Sequence, residues 1–397
     1  MNYSRNARLL LTGAAFLTLA GPAFSLDGQD LLKKINAAYA SSGGTIAAKT
    51  VDVKGVDVTL RETTFTPMGA DAKPFTVGDI MMTGVVAEAN GSYTIDKVTL
   101  PNVDFTEDKT RITASDIYLS GLYVPADPNG DKLDSVMLYD EAHSGSVSVV
   151  VDGKQVVAIK EAVGSLMQYE DASGVEFEGS VTGISADLSL VNDPASKDAI
   201  EKLGLQKIEG DFTTKGSWEL ASGAFDIEEY SLDFANIGRL DLSFGFSGFT
   251  MALVKELQST AKTMQDKPND EQAQQAAGIA MLGLMQQMSF TGAEISFADA
   301  GITQRGLEYA GAQQGQSADQ MKQLVKAMVP IGLSQLKLGE LQNTVSAAVN
   351  AYLDKPENIT VSAAPENPVP FPMIMGAAMG APETLVKMLN VAVTSNE

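Results

Sequence analysis

The chain has 397 residues, of which 50 are acidic and 28 basic, and its formal net charge at pH 7 is −22. Such an excess of negative charge repels phosphate backbones and anionic membrane surfaces, so nucleic acid is excluded as an expected partner. Cysteine is absent and 44% of the residues are hydrophobic, so apolar burial and backbone pairing must stabilise the fold without disulfides.

Residues 1–25 have the layout of a secretory signal peptide. Arg5 and Arg8 precede an uncharged run over residues 9–21, and Ala23 and Ser25 place small residues before a predicted cut. The apolar run is shorter than the roughly 20 residues that a membrane span needs. We therefore predict export to the periplasm and no membrane attachment after cleavage. An uncleaved N-terminal anchor helix is the alternative.

The mature chain begins with a short helix and continues with strands. A helix is predicted over residues 30–39, where four apolar residues share one side: Leu31, Leu32, Ile35 and Ala38. Over residues 46–190 apolar and polar residues alternate, which indicates antiparallel strands with one buried and one wet face. Asn90-Gly91 and Asp152-Gly153 are signals for tight hairpin turns between such strands.

An internal duplication relates two parts of the chain. Residues 78–100 align without a gap on residues 210–232, and seven of the 23 positions are identical. The identical pairs are Gly78/Gly210, Asp79/Asp211, Gly84/Gly216, Ala89/Ala221, Gly91/Gly223, Ile95/Ile227 and Leu100/Leu232. After a five-residue deletion, residues 117–122 match residues 244–249. We interpret the two stretches as copies of one β-meander; chance similarity between alternating sequences is the other reading.

Helices are expected to dominate after residue 250. The expected helices are a connector at 194–203 and segments at 251–264, 270–288, 340–353 and 383–389, with a further helix capped by Ser317 and Gln320. Short strands are expected at 240–246, 295–297, 359–361 and 391–393, and the prolines of 365–372 indicate an extended connector.

These elements predict an α+β, β-rich fold in which two related antiparallel β-meanders form a curved sheet beside a mainly helical C-terminal region. The expected divisions are the signal peptide at 1–25, an N-terminal β-rich region with the first copy at 26–190, the second copy at 191–250, and a helical region with short strands at 251–397.

No catalytic constellation is recognisable, so we predict a non-enzymatic protein without cofactor. The single histidine, His143, stands in a polar segment that we interpret as an exposed loop. Ser259 and Lys262 match an S-x-x-K pattern, but its companion motifs are missing. A hydrolase that uses only carboxylates, such as Glu228 and Glu229, remains an alternative.

One acidic segment could wrap a hard cation. Four oxygen-bearing side chains follow one another at spacings of two, two and three residues: Asp127, Asn129, Asp131 and Asp134. A calcium loop would have glycine at its sixth position and glutamate at its twelfth, and Leu138 stands at the twelfth. We interpret the segment as a turn between strands, with calcium binding as the alternative.

Two apolar stretches of the helical region have more than one interpretation. Met281, Met285 and Met288 share a stripe that we interpret as core packing, although methionine stripes also form adaptable binding surfaces. Residues 369–380 are apolar around prolines and suit either an exposed docking patch or a buried connector.

The sequence resembles AsmA-like bacterial cell-envelope proteins and their uncharacterised alphaproteobacterial periplasmic relatives. The resemblance rests on the signal segment, on residues 117–122, on Trp218-Glu219-Leu220 before the turn at Ser222-Gly223, and on the spacing of prolines and apolar residues over 356–393. It implies a β-rich envelope protein linked to outer-membrane biogenesis or lipid handling, and it transfers no catalytic residue.

The leading functional hypothesis is a periplasmic protein whose curved sheet cradles a lipid or another apolar ligand, provided that the helices leave part of the sheet open. The alternative is a structural or scaffold module that docks another envelope protein through residues 251–397.

Overall fold

The computed structural model describes residues 26–39, 44–67, 73–130, 132–191, 193–266, 270–335 and 341–397. The predicted signal peptide therefore lies outside the described residues. Within these ranges the helices are α1 (Gly28–Tyr39), α2 (Pro194–Lys202), α3 (Met251–Asp266), α4 (Glu271–Met285), α5 (Ile302–Gln313), α6 (Ala318–Gln335), α7 (Leu341–Asp354), α8 (Phe371–Gly380) and α9 (Pro382–Met388).

The strands of the N-terminal half are β1 (Gly44–Ala47), β2 (Thr50–Lys54), β3 (Asp57–Pro67), β4 (Phe75–Ala87), β5 (Tyr93–Leu100), β6 (Val103–Glu107), β7 (Thr110–Ala114), β8 (Ile117–Val124), β9 (Glu141–Ser144), β10 (Val147–Val151) and β11 (Lys154–Ile159). They are followed by β12 (Glu161–Gln168), β13 (Gly174–Asp187), β14 (Lys207–Glu219), β15 (Ala224–Phe234), β16 (Gly238–Ser247), β17 (Ser289–Asp299), β18 (Asn358–Ala363), β19 (Val369–Pro370) and β20 (Val391–Ser395).

All the described strands belong to one antiparallel sheet, and its main ladder is β3–β4–β5–β8–β9–β12–β13–β14–β15–β16–β17–β18–β20. Strands β5 with β6, and β7 with β8, are the arms of one long hairpin, because the register of β5 on β8 continues into β6 on β7. The sheet begins with β1 and β2 on β3 and ends with β20 on β18, and it is curved and open. The predicted α+β, β-rich class is confirmed, and the sheet runs on across residues 190–191 and 250–251 through the β13–β14 and β16–β17 pairs.

The predicted alternation gives the sheet one polar and one apolar face. Directly opposed residues on paired strands lie on the same face, so a face can be followed across the sheet. One row of opposed residues is mainly polar: Thr99, Tyr118, His143, Val163, Ser180, Thr213, Ser231, Asp241, Ser296 and Thr360. A row of the opposite face is apolar over seven successive strands, between Ser144 and Ser395 at its ends: Ala162, Val181, Phe212, Leu232, Leu240, Phe297 and Ile359.

The predicted duplication corresponds to two hairpins with the same pairing. Val98 lies opposite Met82 in the β4–β5 hairpin, and Tyr230 lies opposite Thr214 in the β14–β15 hairpin, the positions that the alignment equates. The alignment of the third strand was wrong. Leu119 lies opposite Val98 and Leu242 lies opposite Tyr230, so Leu119 corresponds to Leu242 and not to Phe246.

Both hairpins are irregular at the positions that the alignment equates, Gly84 and Gly216, and the register itself shifts, as in a β-bulge, only in the second. Gly84 has a φ of +66°, and a Cβ at this position would collide with the carboxylate of Asp96 on the neighbouring strand. In the second copy the register shifts between Lys215 and Gly216. Bulges bend a strand and increase its local twist. We attribute part of the curvature of the sheet to these irregular positions.

Separate cores lie at the two ends of the sheet. In the N-terminal half, Leu31 and Ile35 of α1 pack on buried residues of β3, β4, β5 and β8. In the C-terminal half, Leu307, Met321, Tyr352 and Leu353 of α5, α6 and α7 form a second cluster that also contacts β17 and β18. The middle of the sheet therefore lies between two helix-covered ends.

The C-terminal helices confirm one local prediction and correct another. The capping box is present: Ser317 N–H donates to Gln320 Oε1 at 2.9 Å, and Gln320 N–H donates to Ser317 Oγ at 3.2 Å. The extended connector predicted for 365–372 is wrong at its end, because α8 begins at Phe371. Pro372 fits there, since the first turn of a helix does not need its N–H group.

Candidate apolar binding site

Helix α1 closes one end of the apolar face. Asp27 ends the preceding segment and caps the helix, because its Oδ1 accepts from the N–H groups of Gln29 and Asp30 at 3.0 and 3.1 Å. Leu31 is completely buried and Ile35 nearly so. The apolar stripe predicted for this helix is thus the side that packs on the sheet.

Polar contacts fix the start of α1 on the sheet. Tyr93 Oη donates to Asp30 Oδ2 at 2.8 Å, and Lys34 Nζ contacts Asp30 Oδ2 at 2.7 Å and the Gly91 carbonyl at 2.6 Å. The hydrogen bonds from Lys34 and Tyr93 lower the pKa of Asp30, while burial and the Asp30 carboxylate raise the pKa of Tyr93. Asp30 is therefore ionised in the folded protein at neutral pH.

Asn36 fixes α1 to the edge strand β1, because its side-chain amide forms the same pair of hydrogen bonds with the backbone that a neighbouring strand would form. Its Nδ2 donates to the Ile46 carbonyl at 2.8 Å, and its Oδ1 accepts from the Ile46 N–H at 2.7 Å. This role was missed in the sequence. The available signal was an asparagine placed inside a helix, where it has no intrinsic advantage.

A cavity of about 440 Å³ lies between the second half of α1 and the apolar face. Its lining is apolar apart from the hydroxyls of one threonine and one tyrosine: Ile35, Tyr39, Ile46, Leu60, Thr63, Phe65, Phe75, Val77, Ile80, Met82, Val98, Leu100, Val103, Leu119, Leu122 and Met137. The hydroxyl of Thr63 is buried and donates to the Leu60 carbonyl at 3.2 Å, so its proton is already engaged. Such a lining suits a hydrocarbon and offers almost nothing to a polar ligand.

The cavity is closed at one end and open at the other. Beyond its deep end Leu31, Val58, Ile95 and Val124 are at most 1% exposed and fill the space under the first turns of α1. At the other end of the cavity Phe75, the first residue of β4, is 54% exposed, and Val103, the first residue of β6, is 41% exposed. The cavity is therefore a blind groove whose mouth lies at Phe75 and Val103.

The apolar face continues beyond this mouth. Phe105 and Ile112, opposed on β6 and β7, are more than a third exposed, and Ile112 lies opposite Val149 on β10. In the C-terminal half, four further side chains of this face are at least 38% exposed: Tyr230, Phe244, Ile295 and Val361. The helices thus cover the apolar face incompletely. Binding of an apolar ligand to the curved sheet requires such an uncovered part.

Between the two ends an aromatic cluster covers the apolar face. The rings of Phe177, Phe225, Phe246 and Phe249 lie within 6 Å of one another in successive contacts, with Trp218 against Phe249. Aromatic pairs at such distances add to the stability that their burial gives. This part of the sheet is packed by its own side chains.

His143 lies in strand β9 and not in the exposed loop that the sequence predicted. Its polar neighbours suit a strand because its row faces the polar side of the sheet. The ring stacks on Tyr118 at 4.6 Å, Nδ1 lies 2.8 Å from the Asp116 carbonyl, and Nε2 lies 3.3 Å from Glu161 Oε1. The imidazole thus contacts a carbonyl and a carboxylate, both of which favour its protonated form.

The stability of the protein should therefore depend on the protonation of His143. The hydrogen bond to Asp116 raises the pKa of the ring and Glu161 adds to this, although burial opposes both. Protonated His143 then stabilises the fold fully below the unfolded pKa of about 6.5, and the stabilisation is lost as pH rises through the higher folded pKa. Urea unfolding of wild type and His143→Phe should differ most at low pH. A difference that grows with pH would contradict this assignment.

The acidic segment proposed for calcium is organised by hydrogen bonds of its own. Asp127 Oδ1 accepts from the N–H and Nδ2 of Asn129, both at 2.9 Å, which lowers the pKa of Asp127. The Asn129 carbonyl accepts from Lys255 Nζ at 2.8 Å, and the Asp134 carbonyl accepts from Tyr123 Oη at 3.0 Å. Asp131 lies outside the described residues. The described part of the chain contains no group of three or more histidines and acids that could hold a metal.

The carboxylates considered for hydrolysis contact different cations. Glu229 Oε1 lies 3.3 Å from Arg239 Nη2 and also accepts from Thr213 Oγ1, whereas Glu228 Oε2 lies 3.6 Å from Lys215 Nζ. The two carboxylates therefore take part in separate ion pairs.

The methionine stripe is half-buried at Met281, Met285 and Met288. The stretch over 369–380 is divided: Val369 is buried, whereas Met373 and Met379 of α8 are exposed. Neither stretch is uniformly a core or a surface.

One comparison with known proteins gives a match. A protein-family model described as "Uncharacterized protein" matches residues 231–396, from strand β15 to the last strand. No curated protein matches the chain. Among the helices of the described residues, none has the length and apolar character required to cross a membrane.

Proposed function

We propose that this protein is a non-enzymatic, exported periplasmic protein that binds a lipid by its hydrocarbon part in the groove under α1. The proposal rests on one observation: a cavity of about 440 Å³ whose lining carries only two polar side-chain groups, the engaged hydroxyl of Thr63 and the phenol of the half-buried Tyr39. An empty apolar groove with an exposed mouth leaves hydrocarbon surface in contact with water. Occupation by an apolar ligand removes this surface at a gain of about 25 cal/mol per Å² buried.

The open continuation of the apolar face supports the same proposal. Phe105 and Ile112 extend the groove beyond its mouth, so a long ligand would keep apolar contacts after leaving the cavity. The strongly negative net charge of the chain disfavours binding to an anionic membrane surface as such. We therefore favour capture of single lipid molecules over attachment to a bilayer.

Mass spectrometry of lipid extracted from the purified protein tests the proposal. We expect stoichiometric lipid in the wild type and its loss in the double variant Phe75→Glu with Val103→Glu, because two carboxylates at the mouth would make the groove unfavourable for hydrocarbon. Met81→Glu is the matched control. Met81 is 50% exposed on the same strand as Phe75 but belongs to the polar face, opposite Thr99.

Lipid-free wild-type protein, or equal lipid in the double variant and the wild type, would contradict the proposal. The alternative function is a scaffold that docks another envelope protein through residues 251–397. It is favoured by exposed apolar side chains on three helices there: Ile279, Leu282, Met328, Ile331, Met373 and Met379. A stoichiometric protein partner recovered without lipid would favour this second function.

A further inference from the structure

We propose that the groove holds one unbranched acyl chain of about 15 carbons, with the methyl end at the deep end under α1 and the polar head outside the mouth. This inference rests on the proposed function and adds the class, the length and the orientation of the ligand.

The volume of the cavity sets the length. A methylene group takes about the space of a water molecule in the liquid, about 30 Å³, so a cavity of about 440 Å³ holds about 15 such groups. A second chain of the same length would need about twice this space. One chain therefore fills the groove, and any second chain of the lipid must lie outside it.

The polarity of the lining sets the orientation. The deep end is closed by Leu31, Val58, Ile95 and Val124, none of which offers a side-chain hydrogen bond. A headgroup placed there would be buried without partners, which is strongly unfavourable. At the mouth Phe75 and Val103 are in contact with solvent, so a headgroup remains hydrated when the methyl end enters first.

The side walls explain why an unbranched chain is favoured. The ring of Phe65 contacts that of Tyr39 on one side and that of Phe75 on the other, edge to face, with ring centres 6.1 and 5.5 Å apart, and the three rings form one wall near the mouth. The facing wall consists of aliphatic side chains of β5, β6 and β8, namely Val98, Leu100, Val103, Leu119 and Leu122. A straight hydrocarbon can contact both walls along its length.

A series of lysophosphatidylcholines and free fatty acids, offered to delipidated protein, tests this inference. Each added methylene should tighten binding about fourfold until the chain reaches about 15 carbons, after which the gain should diminish sharply. The break should occur at the same length in both series, because the head lies outside the groove.

Leu119→Trp should move the break toward shorter chains by about two carbons, because the larger side chain occupies that much of the cavity. Met81→Trp, on the polar face, should leave the break unchanged. The inference would be overturned if no break is found in the wild type and in both variants, whether the affinity rises over the whole series or does not depend on chain length. Lipid binding itself would not be contradicted by that result. Failure of every chain to bind would instead overturn the proposed function.

Discussion

Replacing Leu31 with alanine should lower the free energy of unfolding by about 3 kcal/mol. Leu31 is 0% exposed, so its side chain is completely removed from solvent. The alanine variant loses buried hydrocarbon and leaves a hole among Val58, Ile95 and Val124, residues that the sheet holds in place. Because the polar contacts of Asp30 and Lys34 are partly exposed, they cannot compensate for this loss.

Urea unfolding measures this effect, and Lys33→Ala is the matched control. Lys33 lies on the same helix and is exposed, so its truncation should change the free energy of unfolding by less than about 0.5 kcal/mol. Equal stabilities of the two variants would show that α1 does not pack on the sheet as described. Leu31 also belongs to the closed end of the groove in which we propose that lipid binds.

Much of the fold could be predicted from the alternation of apolar and polar residues along the chain. The row that contains His143 and the row that contains Phe212 differ in polarity because successive residues of a strand point to opposite faces. The same period explains the error in the third strand of the repeat. Leu119 was matched to Phe246 and corresponds to Leu242, a shift of four residues that leaves alternation unchanged.

The candidate site could be predicted only in outline. The helix over residues 30–39 and its apolar stripe were evident, as was an apolar sheet face, but the space between them depends on three-dimensional packing. In the first turns of α1 the apolar side chains of Leu31 and Ile35 are buried against the sheet. In the last turn, at Tyr39, a space remains between the helix and the sheet. No periodic pattern encodes that difference.

Long-range polar contacts were equally hidden. Asn36 hydrogen-bonds to the backbone of Ile46, and such a partner cannot be read from the residue type at either position. The left-handed backbone of Gly84 is a second local feature that alternation does not reveal. The groove is therefore a product of local irregularities placed on a regular alternating sheet.

Replacing Gly248 with alanine should lower the free energy of unfolding by about 3 kcal/mol or more, through backbone strain and through collision. Gly248 has a φ of +87°, and a Cβ there would overlap the backbone carbonyl oxygen of Gln287. It stands between β16 and α3, next to Phe249, whose carbonyl accepts from Trp218 Nε1 at 2.7 Å. Relief of the overlap must displace this bond and the aromatic contacts of Phe249.

Gly153→Ala separates the two contributions. Gly153 follows Asp152 in the predicted tight turn and has a φ of +76°, but nothing lies within 4 Å of a Cβ built there. Its replacement should carry only the cost of the left-handed backbone, about 1–2 kcal/mol. Thermal or urea unfolding, with tryptophan fluorescence reporting on Trp218, should show the larger loss and an altered emission for Gly248→Ala alone. Similar losses in both variants would mean that the chain moves away from Gln287 without disturbing the aromatic cluster, and that the cluster does not depend on close packing at Gly248.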